Sequence, residues 1–328
     1  MPQRGLSEMN SHFGNPLLEQ RKLLEGTAIL RRSDQSVIAI DGVEALNWLH
    51  ALTSQNLVNL VPGQSAETLI LDPKGHVEFQ LKVIARAEAV RLVVDSDRRD
   101  ALISYLQKMR FRTKVEIRET DETVVGAFAD LGIDAPVWLD IWGQEPKGSV
   151  RYAIKARSFP YREYLLSPGV DLGLPEAGML AFEALRIAAA RPLLRDADEK
   201  TLPHEMDWLQ SAVHLSKGCY RGQETVSKVH NLGHPPRRLA LLHLDTGDVI
   251  ANKGEAVTFQ GKPVGTILAG ALHFELGSIA LALLGRITPY ANLEVAGVGA
   301  EQEVVVPADA GKAANLPRPS AFKLSGKK

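Results

Sequence analysis

The chain has 328 residues, more than a single hydrophobic core usually organises, so two or three domains are expected. Its 38 basic and 39 acidic side chains leave a net charge of -1, which excludes a global field that would draw the protein to nucleic acid or to a membrane surface. The single cysteine excludes an internal disulfide and any four-cysteine metal cage built from this chain alone.

The N-terminal residues lack a signal-peptide pattern, and no apolar run is long enough to span a bilayer. A free thiol fits a reducing compartment. The sequence therefore predicts a cytoplasmic protein without membrane contact.

The first third of the chain predicts strands and helices in alternation. SVIAID (36–41) is typical of a strand, and residues 42–52 of a helix with Val43, Leu46, Leu49 and Leu52 at helical spacing. TLILD and HVEFQLKVI flank the turn DPKG (72–75), which predicts a hairpin. The strand AVRLVVD then leads into a helix over residues 97–111, with Asp97 or Ser96 as its N-cap.

Further strands are predicted at TKVEI, TVVGAFA, PVWLDIW and YREYLLS, followed by a helix from Met179 to Ala190 that ends before Arg191-Pro192. A domain boundary is predicted at GHPP (233–236), because these residues cannot continue a helix. Beyond it, six short strands separated by glycine-rich turns predict a small barrel or sandwich, followed by a loose tail.

The only cysteine lies in the stretch KGCYRGQE (217–224). Lys217 and Arg221 flank Cys219, and Gly222 is placed to cap a helix that starts at Gln223. A thiol ahead of a helix N-terminus and beside cations is expected to have a lowered pKa and to be reactive. The alternative is a small buried side chain without chemistry, but the polar, glycine-flanked neighbours of Cys219 favour a site.

Other sites in this region are less favoured. Four histidines could serve a cysteine protease, but no protease signature surrounds Cys219; they are His204, His214, His230 and His234. With Glu205, Asp207 and Cys219, the same histidines could also be considered as metal ligands. The segment NLG between His230 and His234 breaks the helical face that paired ligands need, so no metal site is predicted.

Three basic groups could contact phosphates: Arg98-Arg99, Arg237-Arg238 and KMRFRTK (108–114). Only the last interleaves an aromatic residue with its cations.

The stretch Lys217 to Glu224 resembles the K-G-C-Y-x-G-Q-E signature of the YgfZ family, folate-binding proteins related to the aminomethyltransferase of glycine cleavage. ALRIAAARP, TLPHE and SVIAIDGVEALNWLHALTSQN also resemble segments of that family, so the resemblance extends over most of residues 14–305, most closely to the actinobacterial type.

The resemblance implies an α+β fold in the form of a three-domain cloverleaf ring. Two α+β lobes would form a folate-binding region over residues 1–234, the first from about 1–48 with 120–234 and the second from 49–119. Residues 235–328 would form the C-terminal β-barrel and a tail, and folate would bind where the domains meet.

By the same resemblance, the protein is expected to support iron–sulfur cluster assembly or repair in client enzymes, including tRNA-modifying ones. Cys219 would be the reactive thiol, and tetrahydrofolate or another folate the cofactor, contacted by Phe182, Arg186 and Tyr220. The motif shell around the thiol would be Lys217, Gly218, Tyr220, Arg221, Gly222, Gln223 and Glu224.

The sequence departs from the transferase branch of this superfamily at two places. GHVEFQ (75–80) stands where that branch has G-G-x-x-D-D, so neither catalytic Asp position holds a carboxylate, and Ala188 replaces a glutamate that clamps the pterin. Whether the chain is an enzyme is therefore left open. The alternatives are a tetrahydrofolate-dependent aminomethyl or demethylase-type transferase with an acid such as Glu78 in a new place, and a tRNA-contacting scaffold that uses residues 108–114 and Arg237-Arg238.

Overall fold

The structure is a computed structural model that describes residues 11–144, 146–247 and 249–314, so most of the predicted tail lies outside the described residues. Its helices are α1 (Pro16–Leu24), α2 (Ala45–Leu52), α3 (Arg99–Met109), α4 (Met179–Ala188) and α5 (Gln223–Leu232). Its strands up to the predicted boundary are β1 (Leu30–Arg31), β2 (Gln35–Asp41), β3 (Ser65–Leu71), β4 (Val77–Arg86), β5 (Ala89–Asp95), β6 (Glu116–Glu119), β7 (Thr123–Ala127), β8 (Val137–Leu139) and β9 (Arg162–Leu166). After it follow β10 (Arg237–Leu244), β11 (Ala256–Phe259), β12 (Lys262–His273), β13 (Gly277–Gly285), β14 (Leu293–Val295) and β15 (Val298–Val304).

An antiparallel five-stranded sheet has the order β3-β4-β5-β2-β6 and contains the predicted hairpin β3–β4. Helix α2 buries Trp48 and Leu49 in the core of this sheet. Val43, which the helical spacing assigned to the apolar face, precedes α2 and is 70% exposed. The helix therefore begins later than predicted, at Ala45.

The predicted lobe boundary near residue 49 cuts through this sheet. Strand β2 lies before the boundary, yet it pairs with β5 and β6, which lie after it. Backbone pairing therefore joins residues 35–41 to the lobe predicted for 49–119.

The N-cap predicted for α3 is wrong. A 3-10 turn over Ser96–Arg98 precedes the helix, its first residue is Arg99, and no side chain caps it. The Ser96 hydroxyl is instead hydrogen bonded to that of Ser36 at 2.9 Å, so it does not reach the helix amides.

A second sheet has the order β1-β7-β9-β8. Helix α4 packs Phe182 and Leu185 into the core that this sheet shares with α1. The helix ends at Ala188, two residues earlier than predicted, and Ala190 has a φ of 52°, a left-handed conformation that cannot continue a helix.

The six C-terminal strands close into a barrel in the order β10-β13-β12-β11-β14-β15, which confirms the barrel and excludes the sandwich. Strand β10 points Ala240 and Leu242 into the barrel core and Leu239 and Leu241 into a separate cluster with α4 and the segment around Trp208. Both faces of this strand are therefore buried, which explains its nearly continuous apolar sequence.

The mixed α/β fold with a closed barrel is thus confirmed, while the three-domain ring stays a prediction. No helix in the described ranges is long and apolar enough to cross a bilayer.

Candidate functional site

The cysteine motif forms a loop that leads directly into α5. The helix begins at Gln223 after Gly222, as predicted, and Gly222 has a φ of 83°. A Cβ on Gly222 would lie 2.6 Å from the carbonyl oxygen of Asp72 at the tip of the β3–β4 hairpin. Glycine is required here by both its backbone angle and this close approach, and the hairpin tip fixes one end of the loop.

Lys217 fixes the other end of the loop. Its ammonium donates hydrogen bonds to the carbonyl oxygens of His50 in the last turn of α2 and of Thr53 (2.5 Å) and Gln55 (3.2 Å) just after that helix. Burial lowers the pKa of this ammonium to about 8. The cation expected beside the thiol thus anchors the loop to the C-terminal end of α2.

Tyr220 and Gln223 hold the loop together from within. The side-chain amide of Gln223 donates to the Lys217 carbonyl, and its backbone N–H donates to the Tyr220 carbonyl, both at 3.2 Å. The Tyr220 ring is buried, its centre lies 5.2 Å from the Lys217 ammonium, and its hydroxyl has no hydrogen-bond partner within the described part of the chain. Burial raises the pKa of that hydroxyl.

The thiol stands on the solvent side of this loop. Cys219 is exposed, as are Gly218, Arg221 and Glu224. The Arg221 guanidinium lies 3.1 Å from the Glu78 carboxylate. The buried alternative for the cysteine is therefore wrong, and its reactivity stays a prediction.

None of the four histidines has a described contact with the thiol. His204 is buried, with its Nε2 3.0 Å from the Val226 carbonyl oxygen, and His230 is hydrogen bonded to the Tyr152 hydroxyl. His234 is hydrogen bonded to the Ala310 carbonyl, and His214 accepts from the backbone N–H of Ser216. In the part of the chain that the structure covers, no three His, Cys, Asp or Glu residues are grouped as a metal site.

The three residues predicted to contact folate lie in two different parts of the structure. Phe182 and Arg186 line a central pocket between the two sheets, together with the aromatic residues Trp138, Trp142, Phe159 and Tyr161. Tyr220 is absent from that lining and packs with Val226 in the cluster around Trp208. The structure therefore joins two of the three predicted contacts.

Ion pairs fill the central pocket. The Arg186 guanidinium bonds Asp196 at 2.7 Å and also Glu183. Burial alone would lower its pKa, but these two carboxylates raise it. Arg191 lies 3.1 Å from Asp140, whose pKa burial raises to about 6 against the lowering effect of Arg191.

Three aromatic rings of the pocket form cation–π contacts with side chains of the protein itself. The Lys82 ammonium lies 4.9 Å from the Trp138 ring centre, and the Arg191 guanidinium 4.8 Å from that of Trp142. The Arg32 guanidinium lies 4.5 Å from the centre of the Phe182 ring.

Sequence reasoning missed two acids that line this pocket, Asp140, which pairs with Arg191, and Glu67 of β3. Glu67 is 3% exposed, and its carboxylate accepts from Gln80 at 2.6 Å, from the Trp142 indole at 2.9 Å and from Ser211. Glu78, the acid proposed to replace the missing aspartate, lies instead in an outer groove and binds Arg221. The available signal for Glu67 was a charged residue inside the apolar run SAETLIL.

A pterin ring does not fit the pocket in this arrangement. The cavity measures about 30 Å³, whereas ligand pockets usually measure about 300–1,000 Å³. The cations and carboxylates suit a pterin edge in chemistry, but the side chains that line the pocket would have to move before a ring could enter.

Two of the three basic groups singled out in the sequence are held by other residues. Arg237 pairs with Asp198 and Glu205, and Arg238 is fully buried with a bond to the Thr288 carbonyl. Arg98 donates to the Glu78 carbonyl, and Arg99 pairs with Asp100 and Glu119. Of the three groups, residues 108–114 alone form no ion pair among the described residues.

No protein-family model matches the sequence. The chain is 27% identical over 77% of its length to a putative chloroplastic transferase of Arabidopsis thaliana, of which it spans 65%. It is 26% identical over 91% of its length to an aminomethyltransferase of Rippkaea orientalis, covering 90% of that protein.

Two further relatives have names linked to metal clusters and tRNA. The chain is 23% identical over 71% of its length to a mitochondrial iron–sulfur cluster assembly factor IBA57 homolog of Aspergillus oryzae, covering 60% of it. It is 23% identical over 67% of its length to the tRNA-modifying protein YgfZ of Vibrio atlanticus, covering 70% of it.

Among solved structures, the glycine cleavage system aminomethyltransferase T of Bartonella henselae superposes with a TM-score of 0.71 at 18% identity, over 90% of this chain and 89% of that one. This likeness shows the fold. By sequence the chain is thus similar to aminomethyltransferases, to a cluster assembly factor homolog and to YgfZ, while its place in the YgfZ branch stays a prediction.

Proposed function

We propose that this protein supports the assembly or repair of iron–sulfur clusters in client enzymes, and that Cys219 is its reactive group. The observation that carries the proposal is an exposed thiol on a loop fixed at both ends, by Lys217 to the segment after α2 and by Gly222 to the hairpin tip. The relatives named as a cluster assembly factor and a tRNA-modifying protein support it.

In this proposal the chain's own residues position the thiol. Lys217 and Gln223 keep the loop in one conformation, so a client reaches Cys219 without an ordering step that would weaken binding. Arg221 is the nearest exposed cation in the sequence and can attract an anionic thiolate or an anionic client group. The thiolate would transiently bind a cluster iron of a client by replacing another ligand of that iron and would leave by the reverse exchange, so the step needs no oxidant or reductant.

Folate enters the proposal as a ligand only. Because the central pocket is too small for a pterin ring in this structure, folate would bind a form in which the pocket has widened, and no chemical step is assigned to it. Calorimetric titration with tetrahydrofolate, repeated after alkylation of Cys219, tests this part. Equal binding in both samples would mean that the ligand site and the thiol act separately.

The cluster proposal is tested by complementation. In cells that lack the native gene, Cys219→Ser is expected to leave iron–sulfur client activities at the level of the empty vector, while native protein restores them. Ser216→Ala is the matched control, because Ser216 is exposed in the same loop and its side chain makes no described hydrogen bond. Full restoration by Cys219→Ser would contradict the proposal.

A second candidate is a one-carbon transferase acting with tetrahydrofolate. It is favoured by the aminomethyltransferase relative, which matches nearly the whole chain, and by Glu67, a buried carboxylate beside the residue at one of the missing aspartate positions, Gln80. Turnover of N-methyl or aminomethyl donors that is lost in Glu67→Gln and kept in Cys219→Ser would establish it in place of the first.

A further inference from the structure

Residues 108–114 comprise the end of α3 and most of the turn that leads to β6, and they expose an aromatic ring among cationic side chains. Phe111 is 81% exposed and has a φ of 45°. A positive φ is rare for a bulky residue and persists only where the surroundings enforce it. The backbone of this turn therefore holds the Phe111 ring outward, although burial of the ring would be favourable.

Four cations flank this ring. Lys108, Arg110, Arg112 and Lys114 are all exposed, and none forms an ion pair with a described carboxylate. Arg110 donates only to the Val115 carbonyl, at 3.5 Å. This differs from the other two basic groups of the sequence, whose guanidinium groups bind the chain's own carboxylates and carbonyls.

An open recess of about 740 Å³ lies beside the ring. Its walls are Phe111, Arg112 and Thr113 from the turn, and Glu44, Asn47 and Trp48 from the start of α2. That volume is within the range of small-ligand sites, and its walls combine an aromatic face with amide, hydroxyl and carboxylate groups.

We propose that residues 108–114 and this recess bind single-stranded RNA. A base would stack on Phe111, the four cations would lie along the phosphates, and Asn47 and Thr113 would bond base edges or ribose hydroxyls. An anionic membrane shares the attraction to cations, but acyl chains make no use of the polar groups beside the ring, so the recess favours a nucleotide. Neither Cys219 nor the central pocket takes part.

Fluorescence anisotropy with a labelled oligouridylate of about 12 nucleotides tests the proposal on the full chain. Phe111→Ala is expected to weaken binding roughly 5- to 150-fold, the effect of losing one stacked base, and Phe111→Trp is expected to retain it. Because Phe111 is exposed, the thermal midpoint of unfolding should stay unchanged, which separates lost binding from lost folding.

The contribution of the cations to binding is tested with a double variant that combines Arg110→Gln and Arg112→Gln. If four phosphates are neutralised, log Kd should change with log salt concentration with a slope of roughly 2.8, and the double variant should lower that slope by roughly 1.4. Lys200→Gln with Lys262→Gln is the matched control, since it removes the same charge from exposed lysines outside the turn and should leave both affinity and slope unchanged.

Cys219→Ser should bind as the native chain does, so failure of this inference is distinguishable from failure of the proposed cluster function. The inference is overturned if Phe111→Ala binds like the control, if single-stranded DNA or an RNA duplex binds equally well, or if vesicles of anionic lipid bind through Phe111 while the oligouridylate does not.

Discussion

Gly222→Ala tests the way in which the cysteine loop is held. Gly222 has a φ of 83°, where an alanine is strained by roughly 1–2 kcal/mol. The added Cβ would also lie 2.6 Å from the Asp72 oxygen and 3.0 Å from the Gly75 Cα. Both neighbours are backbone atoms of the hairpin tip, so relief requires the tip to move, at a further cost of roughly 1–3 kcal/mol.

The expected loss of unfolding free energy is therefore roughly 2–5 kcal/mol in urea denaturation. Gly218→Ala is the matched control, because it adds the same methyl group in the same loop where nothing lies within 4 Å. That variant should stay within roughly 0.5 kcal/mol of the native protein. Equal stability of the two alanine variants would refute the packing of the loop against the hairpin.

Three further changes test other parts of the structure. Lys217→Met keeps the stem but leaves three carbonyl groups without their donor; urea denaturation should show a loss of roughly 2–4 kcal/mol, and an unchanged midpoint would contradict the anchor. Glu67→Gln replaces one acceptor oxygen by an NH2 donor, which then faces either the Gln80 amide or the Trp142 and Ser211 donors. Thermal unfolding should therefore show a loss of roughly 1–3 kcal/mol in unfolding free energy. Native stability would mean that the carboxylate is not held as described. Burial raises the pKa of Asp207 from 3.8 to about 7, so between these pH values the native state binds a proton that the unfolded state has lost. The free energy of unfolding should therefore fall as pH rises from about 4 to about 7, by up to roughly 4 kcal/mol. In Asp207→Asn this part of the pH dependence of unfolding should vanish, and a pH dependence equal to the native one would assign the effect to other groups.

The sequence predicted those parts of the fold that rest on local patterns. The turn DPKG between two apolar runs gave the hairpin, and Gly222 ahead of Gln223 gave the start of α5, because both depend on the backbone of a few adjacent residues. The six barrel strands followed from short apolar runs between glycine-rich turns, although their order in the barrel needed the structure.

What the sequence could not predict depends on contacts between distant residues. Lys217 is close to Cys219 in sequence, but its ammonium binds carbonyls more than 160 positions earlier in the chain. The bond between Glu67 and Ser211 spans 144 positions, and the ion pair of Asp140 and Arg191 in the central pocket spans 51. The spacing of residues in the sequence predicts no such partners, so the Lys217 anchor, the buried carboxylate of Glu67 and the small size of the central pocket were visible only in the structure.

The central claim is that the exposed thiol of Cys219 carries the activity. It is tested most directly by the rate at which a cluster-depleted client enzyme regains activity when the purified protein is added, measured once with Cys219 free and once with Cys219 alkylated. We expect the free thiol to accelerate recovery and the alkylated protein to match a sample without it. Equal acceleration by both forms would contradict the account.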